Sequence, residues 1–550
     1  MAAIALAACG PAPSVAPSNV AGSSVPASGS TVPAAPGCET EPAGSASTDA
    51  TWWADRVFYE VFVRSFADAD GDGIGDLRGL TARLDELNDG DPTTAGDLGV
   101  TGLWLMPVMP SPSYHGYDVT DYRAIEPDYG TADDFRALVA AAHERGMAVI
   151  VDFPLNHTSS QHPWFLDSRP PGGAYADWYV WEDERPPGPG WHADGDRWYF
   201  GLFTEDMPDL NLANPEVTAE ILEVAWFWLT EFGVDGFRLD AAKHLVEDGP
   251  VLENTPATHD WLAAFTPAVH ELDPRALVLG EVFDLSQVSA GYVPDALDLT
   301  FDFGLAGAYV DSIRAGGAGR LTSALGEVAE LERADEFASF LTNHDQERVA
   351  SALDGDPVAL RLAANLLLSG PGTPFIYYGE EIGMLGEKPD ERIRTPMQWD
   401  ASEPAAGFSD ALPWQPLSDD WTTLNVEAQR TDPSSLRSLY RDLIELRGEH
   451  VALRRGTIEP IRADADGVVA TLRATPDETL LVLANLFDTP VTNYALELAA
   501  GPLCGAPDAS LVLGDGSPTA PIVTAAGGFS GYRPIDELAS RSVAVIALQP

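Results

Sequence analysis

Short apolar runs recur along the chain, and an amphipathic stretch follows each one. The runs fall at 57–62, 102–107, 148–153, 234–239, 277–282, 337–341 and 374–378, with a weaker one at 297–303. Between them, 131–145 places Phe135, Leu138, Val139 and Ala142 on one face, and 217–232 follows the same helical period. Strands alternating with helices predict a parallel sheet, and eight such strands predict a closed (β/α)8 TIM barrel. The segment 157–211 breaks the rhythm. It is rich in Pro, Gly and Trp and reads as a loop domain inserted after the third strand. Beyond about residue 455 the pattern changes to strands and turns, as at 479–486 and 542–548, which predicts a C-terminal antiparallel β-sandwich domain. The expected division is therefore a barrel over 51–156 and 212–452, an inserted domain over 157–211 and a β domain over 453–550.

The first fifty residues follow another logic. Residues 1–9 are short, apolar and end in Leu6-Ala7-Ala8-Cys9, which resembles the lipobox of bacterial lipoproteins. That resemblance implies lipid on Cys9 and a membrane-anchored protein outside the cell. Residues 10–50 are Ala-, Pro-, Ser- and Gly-rich and read as a disordered tether. With Cys9 lipidated, Cys38 and Cys504 remain, either as a disulfide or as two thiols. No run is long and apolar enough to be a transmembrane helix.

Composition narrows the partners. With 85 Asp and Glu against 31 Lys and Arg, the net charge of −54 repels nucleic acid and anionic membrane surfaces. Lys243 and Lys388 are the only lysines. The 45% hydrophobic content excludes a wholly disordered acidic chain.

In a TIM barrel the chemistry sits at the C-terminal ends of the strands. The third run ends Asp152-Phe153-Pro154-Leu155-Asn156-His157. The fourth ends Arg238-Leu239-Asp240-Ala241-Ala242-Lys243-His244, the fifth Gly280-Glu281-Val282-Phe283, and the seventh Thr342-Asn343-His344-Asp345. Three carboxylates in one barrel mouth repel each other and need a reason to be kept. Glycoside hydrolysis is such a reason. One carboxylate attacks the anomeric carbon, and a protonated one gives its proton to the leaving oxygen.

These four ordered segments resemble the α-amylase family, glycoside hydrolase family 13, and the likeness runs from about Trp52 onward. It implies that Asp240 is the nucleophile, Glu281 the general acid/base and Asp345 the transition-state stabiliser. It implies that Arg238 holds the nucleophile ionised and oriented. His157 and His344 would hydrogen-bond the cleaved sugar, Tyr117 would stack on it, and Asp152 and Asn156 would support the architecture.

Smaller signals divide the family. Met207-Pro208-Asp209-Leu210-Asn211 resembles a form intermediate between the oligo-1,6-glucosidase and neopullulanase groups, and Arg394-Thr395-Pro396-Met397-Gln398-Trp399 looks like the former. Two departures point away from exo action. Tyr114 stands where exo-glucosidases carry a pocket-closing Asp, and Ala241 stands where 1,6-specific enzymes have Val. Lys243-His244 is similar to α-amylases, in which the pair contacts the aglycone side.

One further segment suits a metal. Asp68-Ala69-Asp70-Gly71-Asp72-Gly73-Ile74-Gly75-Asp76 alternates acids with small residues, a pattern for an oxygen-loving cation such as Ca²⁺. Gly79 at loop position twelve excludes an EF-hand. The segment resembles the calcium loop after the first barrel strand of oligo-1,6-glucosidase-like enzymes, which implies Asp68, Asp70, Asp72, Asp76 and the Ile74 carbonyl as ligands of a structural Ca²⁺.

The expected function is a retaining, endo-acting hydrolase of α-1,4 bonds in starch and maltodextrins, a monomer with no nucleic-acid partner. The alternatives are a neopullulanase, α-glucosidase or transglycosylase of the same family and, remotely, a non-catalytic sugar-binding lipoprotein.

Overall fold

The structure is a computed structural model that describes residues 50–331 and 335–549. The expected lipid-bearing Cys9, the tether up to residue 49 and Cys38 lie outside the described residues. Cys504 is disulfide-bonded. Among the described residues, no helix is long and apolar enough to cross a membrane.

Eight parallel strands close the predicted barrel. In order they are Phe58–Val61, Gly102–Leu105, Ala148–Phe153, Gly236–Leu239, Leu277–Gly280, Leu299–Phe301, Phe337–Ser339 and Thr373–Tyr377. The weak run at 297–303 is thus a true strand, and the first strand closes on the eighth through the Phe58–Phe375 register. Every strand is buried throughout, which is why the runs read as continuously apolar rather than alternating.

Strand alternation still assigns the two faces. Tyr59 and Val61 pack outward with the helices, whereas Phe58, Trp104, Ile150, Leu277, Leu279, Phe301 and Phe375 fill the lumen. The fill is aromatic: Phe58 stacks on Phe375 at 4.6 Å, and Trp104 meets Phe301 at 5.3 Å. Trp52 and Trp53 join this cluster ahead of the first strand. The lumen is therefore a solid floor, and polar side chains collect only above it.

The predicted helix at 131–145 forms as Ala132–Glu144, started by a capping box in which Thr131 and Asp134 satisfy each other's backbone N–H groups. The expected 217–232 helix forms as Pro215–Phe227 and ends in a π-helical turn over Trp228–Phe232.

The inserted segment holds a three-stranded sheet of Trp181–Glu182, Trp191–Asp194 and Arg197–Phe200. Its aromatics mostly pack on one another. Trp164 contacts Trp178 at 4.9 Å, and Phe165 contacts Tyr199 at 4.9 Å and Tyr179 at 5.1 Å. Such a small domain has few aliphatic residues, and large rings supply its buried area.

The C-terminal domain is one continuous seven-stranded antiparallel sheet rather than two separate layers. The sheet curls. Thr457–Ala463 pairs with Val468–Ala474 on one side and Leu496–Leu498 on the other. Leu472, Leu483 and Ile546 from one limb share an apolar core with Leu496, Phe529 and Tyr532 from the other. One shared strand thus replaces the break between the expected sandwich layers.

Candidate active site

Asp240 follows the fourth strand at a sharp turn, because Ala241 adopts the left-handed conformation (φ 50°). This conformation costs a non-glycine residue about 1 kcal/mol. It aims the Ala241 N–H at Glu281 Oε2, 3.3 Å away, while the Ala242 N–H donates to the Glu281 carbonyl. The turn therefore couples the ends of the fourth and fifth strands.

Arg238 organises the carboxylates. Its side chain is completely buried. Nη1 donates to Asp152 Oδ1 at 2.8 Å and to Asp240 Oδ1 at 2.7 Å, and Nη2 lies 2.7 Å from Glu281 Oε2. The guanidinium sits 5.2 Å over the Trp104 ring, so the aromatic floor supports the cation from below. Burial pushes Asp152 up to about 7, although Arg238 beside it pulls the other way. Burial also raises the Glu281 carboxyl. Arg238 opposes this, and the charges of Asp240 and Asp345 add to it. A carboxyl with raised proton affinity beside a second carboxyl held by an arginine is the arrangement that acid-assisted glycoside cleavage requires.

Asp345 completes the constellation from the seventh strand. Arg394 Nη2 donates to its Oδ1 at 2.7 Å, and His344 Nε2 lies 3.2 Å from its Oδ2. Burial opposes ionisation of Asp345, but His344 and Arg394 outweigh it and hold the carboxyl far below the usual carboxylate range. Tyr117 donates to Asp152 Oδ2 at 3.0 Å, and its hydroxyl lies 2.7 Å from His344 Nε2.

The two histidines carry opposite character. His157 is buried, and burial lowers it to about 4, so its ring is neutral. Its Nδ1 faces the Asn156 Oδ1 at 3.1 Å. The Asn156 amide N–H₂ is already committed to the His244 carbonyl at 2.8 Å, so Nδ1 is the donor and Nε2 keeps its lone pair. Among the described residues that Nε2 is buried with no side-chain hydrogen-bond partner, and its ring lines the cavity. His344 is the reverse. Burial disfavours its charge, but Asp345 and Glu60 raise it to about 10.

A cavity of about 440 Å³ is lined by Tyr117, His157, Asp240, Glu281 and Asp345 together with Lys243, His244, Phe203 and Phe283. Lys243 Nζ donates to the Phe283 carbonyl at 2.8 Å and pairs with Glu253 at 2.7 Å. His244 Nδ1 lies 2.8 Å from the Leu252 carbonyl. The predicted catalytic residues and Tyr117, His157, Lys243 and His244 thus line one mouth, whereas Arg238 and His344 are fully buried against its carboxylates.

Sequence reasoning missed Glu60 behind His344, Trp104 beneath Arg238, and Phe203, Phe283 and Asp390 in the lining. Glu60 had a legible signal, a lone acid within the apolar run 57–62.

In the acidic loop, carboxylate oxygens of Asp68, Asp70 and Asp76 converge within 4.8 Å of one another. Asp72 is outside that group and instead accepts from the Ile74 N–H at 2.8 Å. Asp76 also caps the helix Leu77–Ala82 through the Gly79 N–H. Gly73 (φ 94°) is required, since a Cβ there would meet the Leu412 carbonyl oxygen at 2.3 Å. Three converging oxygens suit a hard cation.

Known proteins resemble this chain. The alpha amylase catalytic domain model matches residues 60–456. Alpha-amylase 3 of Dictyoglomus thermophilum is 40% identical over 447 residues, covering 79% of this chain and 85% of its own. A trehalose synthase/amylase of Mycolicibacterium smegmatis is 35% identical over 492 residues, 78% of this chain and 81% of its own. The crystal structure of the alpha-amylase from H. orenii superposes with a TM-score of 0.76 at 39% identity, covering 90% of this chain and 99% of that one. A closed barrel with an inserted domain, and carboxylates at the ends of its fourth, fifth and seventh strands, are joined here to a family match that spans most of the chain, so the protein belongs to the alpha-amylase family of glycoside hydrolases.

Proposed function

We propose that the protein is a retaining, endo-acting hydrolase of α-1,4-glucosidic bonds in starch and maltodextrins. Asp240 attacks the anomeric carbon, and the Glu281 carboxyl protonates the leaving oxygen. Asp240 then carries the glycosyl group until Glu281, now a base, activates water. Asp345 stabilises the oxocarbenium-like charge, His157 and Tyr117 hold the sugar, and His344 acts through its contacts with Asp345 and Tyr117.

The observation that carries the endo reading is Tyr114. Its ring packs 5.3 Å from Trp414 with the Arg394 guanidinium 5.9 Å away, and no carboxylate occupies that position to close the pocket. The likeness to two alpha-amylases supports the same reading. A structural Ca²⁺ held by Asp68, Asp70 and Asp76 belongs to the proposal, as does an extracellular location through a lipid on Cys9.

A timed product profile tests the specificity. Maltoheptaose should give a mixture of maltooligosaccharides in the first minutes. Glucose alone would mean exo action, and trehalose formed from maltose would mean the transglycosylase alternative. Asp240→Asn should abolish hydrolysis, and retained activity would overturn the assignment of the nucleophile.

A further inference from the structure

Glu60 lies mid-strand in the first barrel strand, 2% exposed, among apolar neighbours. An acid in such a place must be paired or neutral. Its Oε1 lies 2.5 Å from His344 Nδ1, although 284 residues separate the two in sequence. The other face of the same ring meets a second carboxylate, Asp345 Oδ2, 3.2 Å from Nε2. An ionised carboxylate only accepts hydrogen bonds. An imidazole with a carboxyl oxygen at each nitrogen donates to both only when each nitrogen carries a proton, and a ring with both protons is a cation.

We propose that Glu60 is a positioning residue that keeps His344 doubly protonated, so that the ring presents a fixed N–H and a positive charge to Asp345. Every other group facing the ring fits this state. Tyr117, from the loop after the second strand, places its hydroxyl 2.7 Å from Nε2, and its ring stacks on the imidazole at 5.6 Å. Trp104 supports the ring edge-on at 5.6 Å. The Asp152, Asp240 and Glu281 carboxyl groups stand nearby on the third, fourth and fifth strands, and each favours the imidazolium to the extent that it is ionised. Arg238 and Arg394 oppose them, and Arg394 Nε fixes the His344 carbonyl at 2.9 Å. Among the described residues, Glu60 is the group that hydrogen-bonds Nδ1 and holds its proton. Without it, the neutral ring would turn a lone pair toward either Asp345 or position 60, and the Asp345 carboxylate would lose one of its two cationic partners and keep Arg394 at 2.7 Å.

The role rests on the reading of this mouth as the catalytic site, and it is tested without relying on activity. In full-length protein with labelled histidine, the His344 signal, assigned by its loss in His344→Asn, should keep imidazolium ring shifts up to at least pH 8.5. In Glu60→Gln the ring should lose its proton about 1–3 pH units lower, the effect expected when an adjacent opposite charge is removed. A neutral His344 at pH 7.5 in the unaltered protein overturns the proposal, and this measurement needs no variant at position 60. A folded Glu60→Gln protein with an unmoved titration overturns it as well. Loss of Asp240→Asn sensitivity would refute the catalytic assignment and leave the Glu60–His344 titration standing, so the two failures are distinct.

Discussion

Arg238 Nη1 donates to Asp240 Oδ1 at 2.7 Å from a completely buried position, and the same guanidinium touches Asp152 and Glu281. One cation therefore holds three carboxyl groups that would otherwise repel. Arg238→Gln should lower kcat by about 10²–10³, the usual loss when one preorganised charge partner is removed. It should also destabilise the fold by about 3–5 kcal/mol, because buried carboxylates are left unpaired. Stability and kcat measured together check this. A variant that is destabilised yet fully active would mean that the guanidinium only supports the fold.

Glu281 and Asp345 sit in one mouth with opposite proton affinities. Burial raises Glu281, and His344 with Arg394 depresses Asp345. A general acid works protonated. Its raised value therefore extends activity above pH 4.5, and activity on maltoheptaose falls as the pH climbs through the Glu281 value. Fluoride leaves without a proton, so the glycosylation step on α-maltosyl fluoride should lack that alkaline limb. Glu281→Ala should cost about 10²–10⁴-fold on maltoheptaose and far less in the first turnover on the fluoride. Equal losses on both substrates would remove Glu281 from the acid role.

Much of this site is legible in the chain, because strand alternation forces it. Residues ending the third, fourth, fifth and seventh runs must rise into one mouth once eight strands close. What sequence hides is pairing across long separations. Glu60 meets His344 at a distance of 284 residues, and Arg394 reaches Asp345 from 49 residues away. Trp104 reads as one more core aromatic until the barrel stacks it under Arg238. Phe203 lies in a segment whose aromatics mostly pack against each other, and nothing local separates the cleft-facing ring from the rest. The curled C-terminal sheet was hidden for a similar reason: alternation gives each strand two faces without saying that one strand serves both limbs.

Glu380 is buried behind the eighth strand, where it accepts from the Tyr440 hydroxyl at 2.8 Å. Burial raises its carboxyl to about 8, with the neighbouring Glu381 adding to the effect. A carboxyl raised in the native state binds its proton more tightly folded than unfolded. Its stabilising contribution is complete below about pH 4.5 and is lost as the pH rises through 8. Glu380→Gln keeps an acceptor for Tyr440 and cannot ionise. It should match the unaltered protein at pH 5 and exceed its Tm at pH 8.5 by on the order of 2 °C or more. Parallel Tm curves across this range would show that Glu380 does not titrate on unfolding.

The acidic loop makes the last prediction. Asp68, Asp70 and Asp76 bring three carboxylate oxygens within 4.8 Å, yet they already accept backbone N–H bonds, such as Gly71 to Asp68 at 2.7 Å and Ala69 to Asp76 at 2.7 Å. Those N–H groups fix the carboxylates in place, so a cation meets a preformed cluster and binding adds to folding stability. Calcium at 100 times its Kd should stabilise the protein by about 2.7 kcal/mol, and EGTA should remove that gain. Asp70→Asn is the informative variant, because Asp70 is exposed and, unlike Asp76, caps no helix. It should leave the calcium-free Tm nearly unchanged and abolish the calcium-dependent rise. A calcium response that survives in Asp70→Asn would place the ion elsewhere in the molecule.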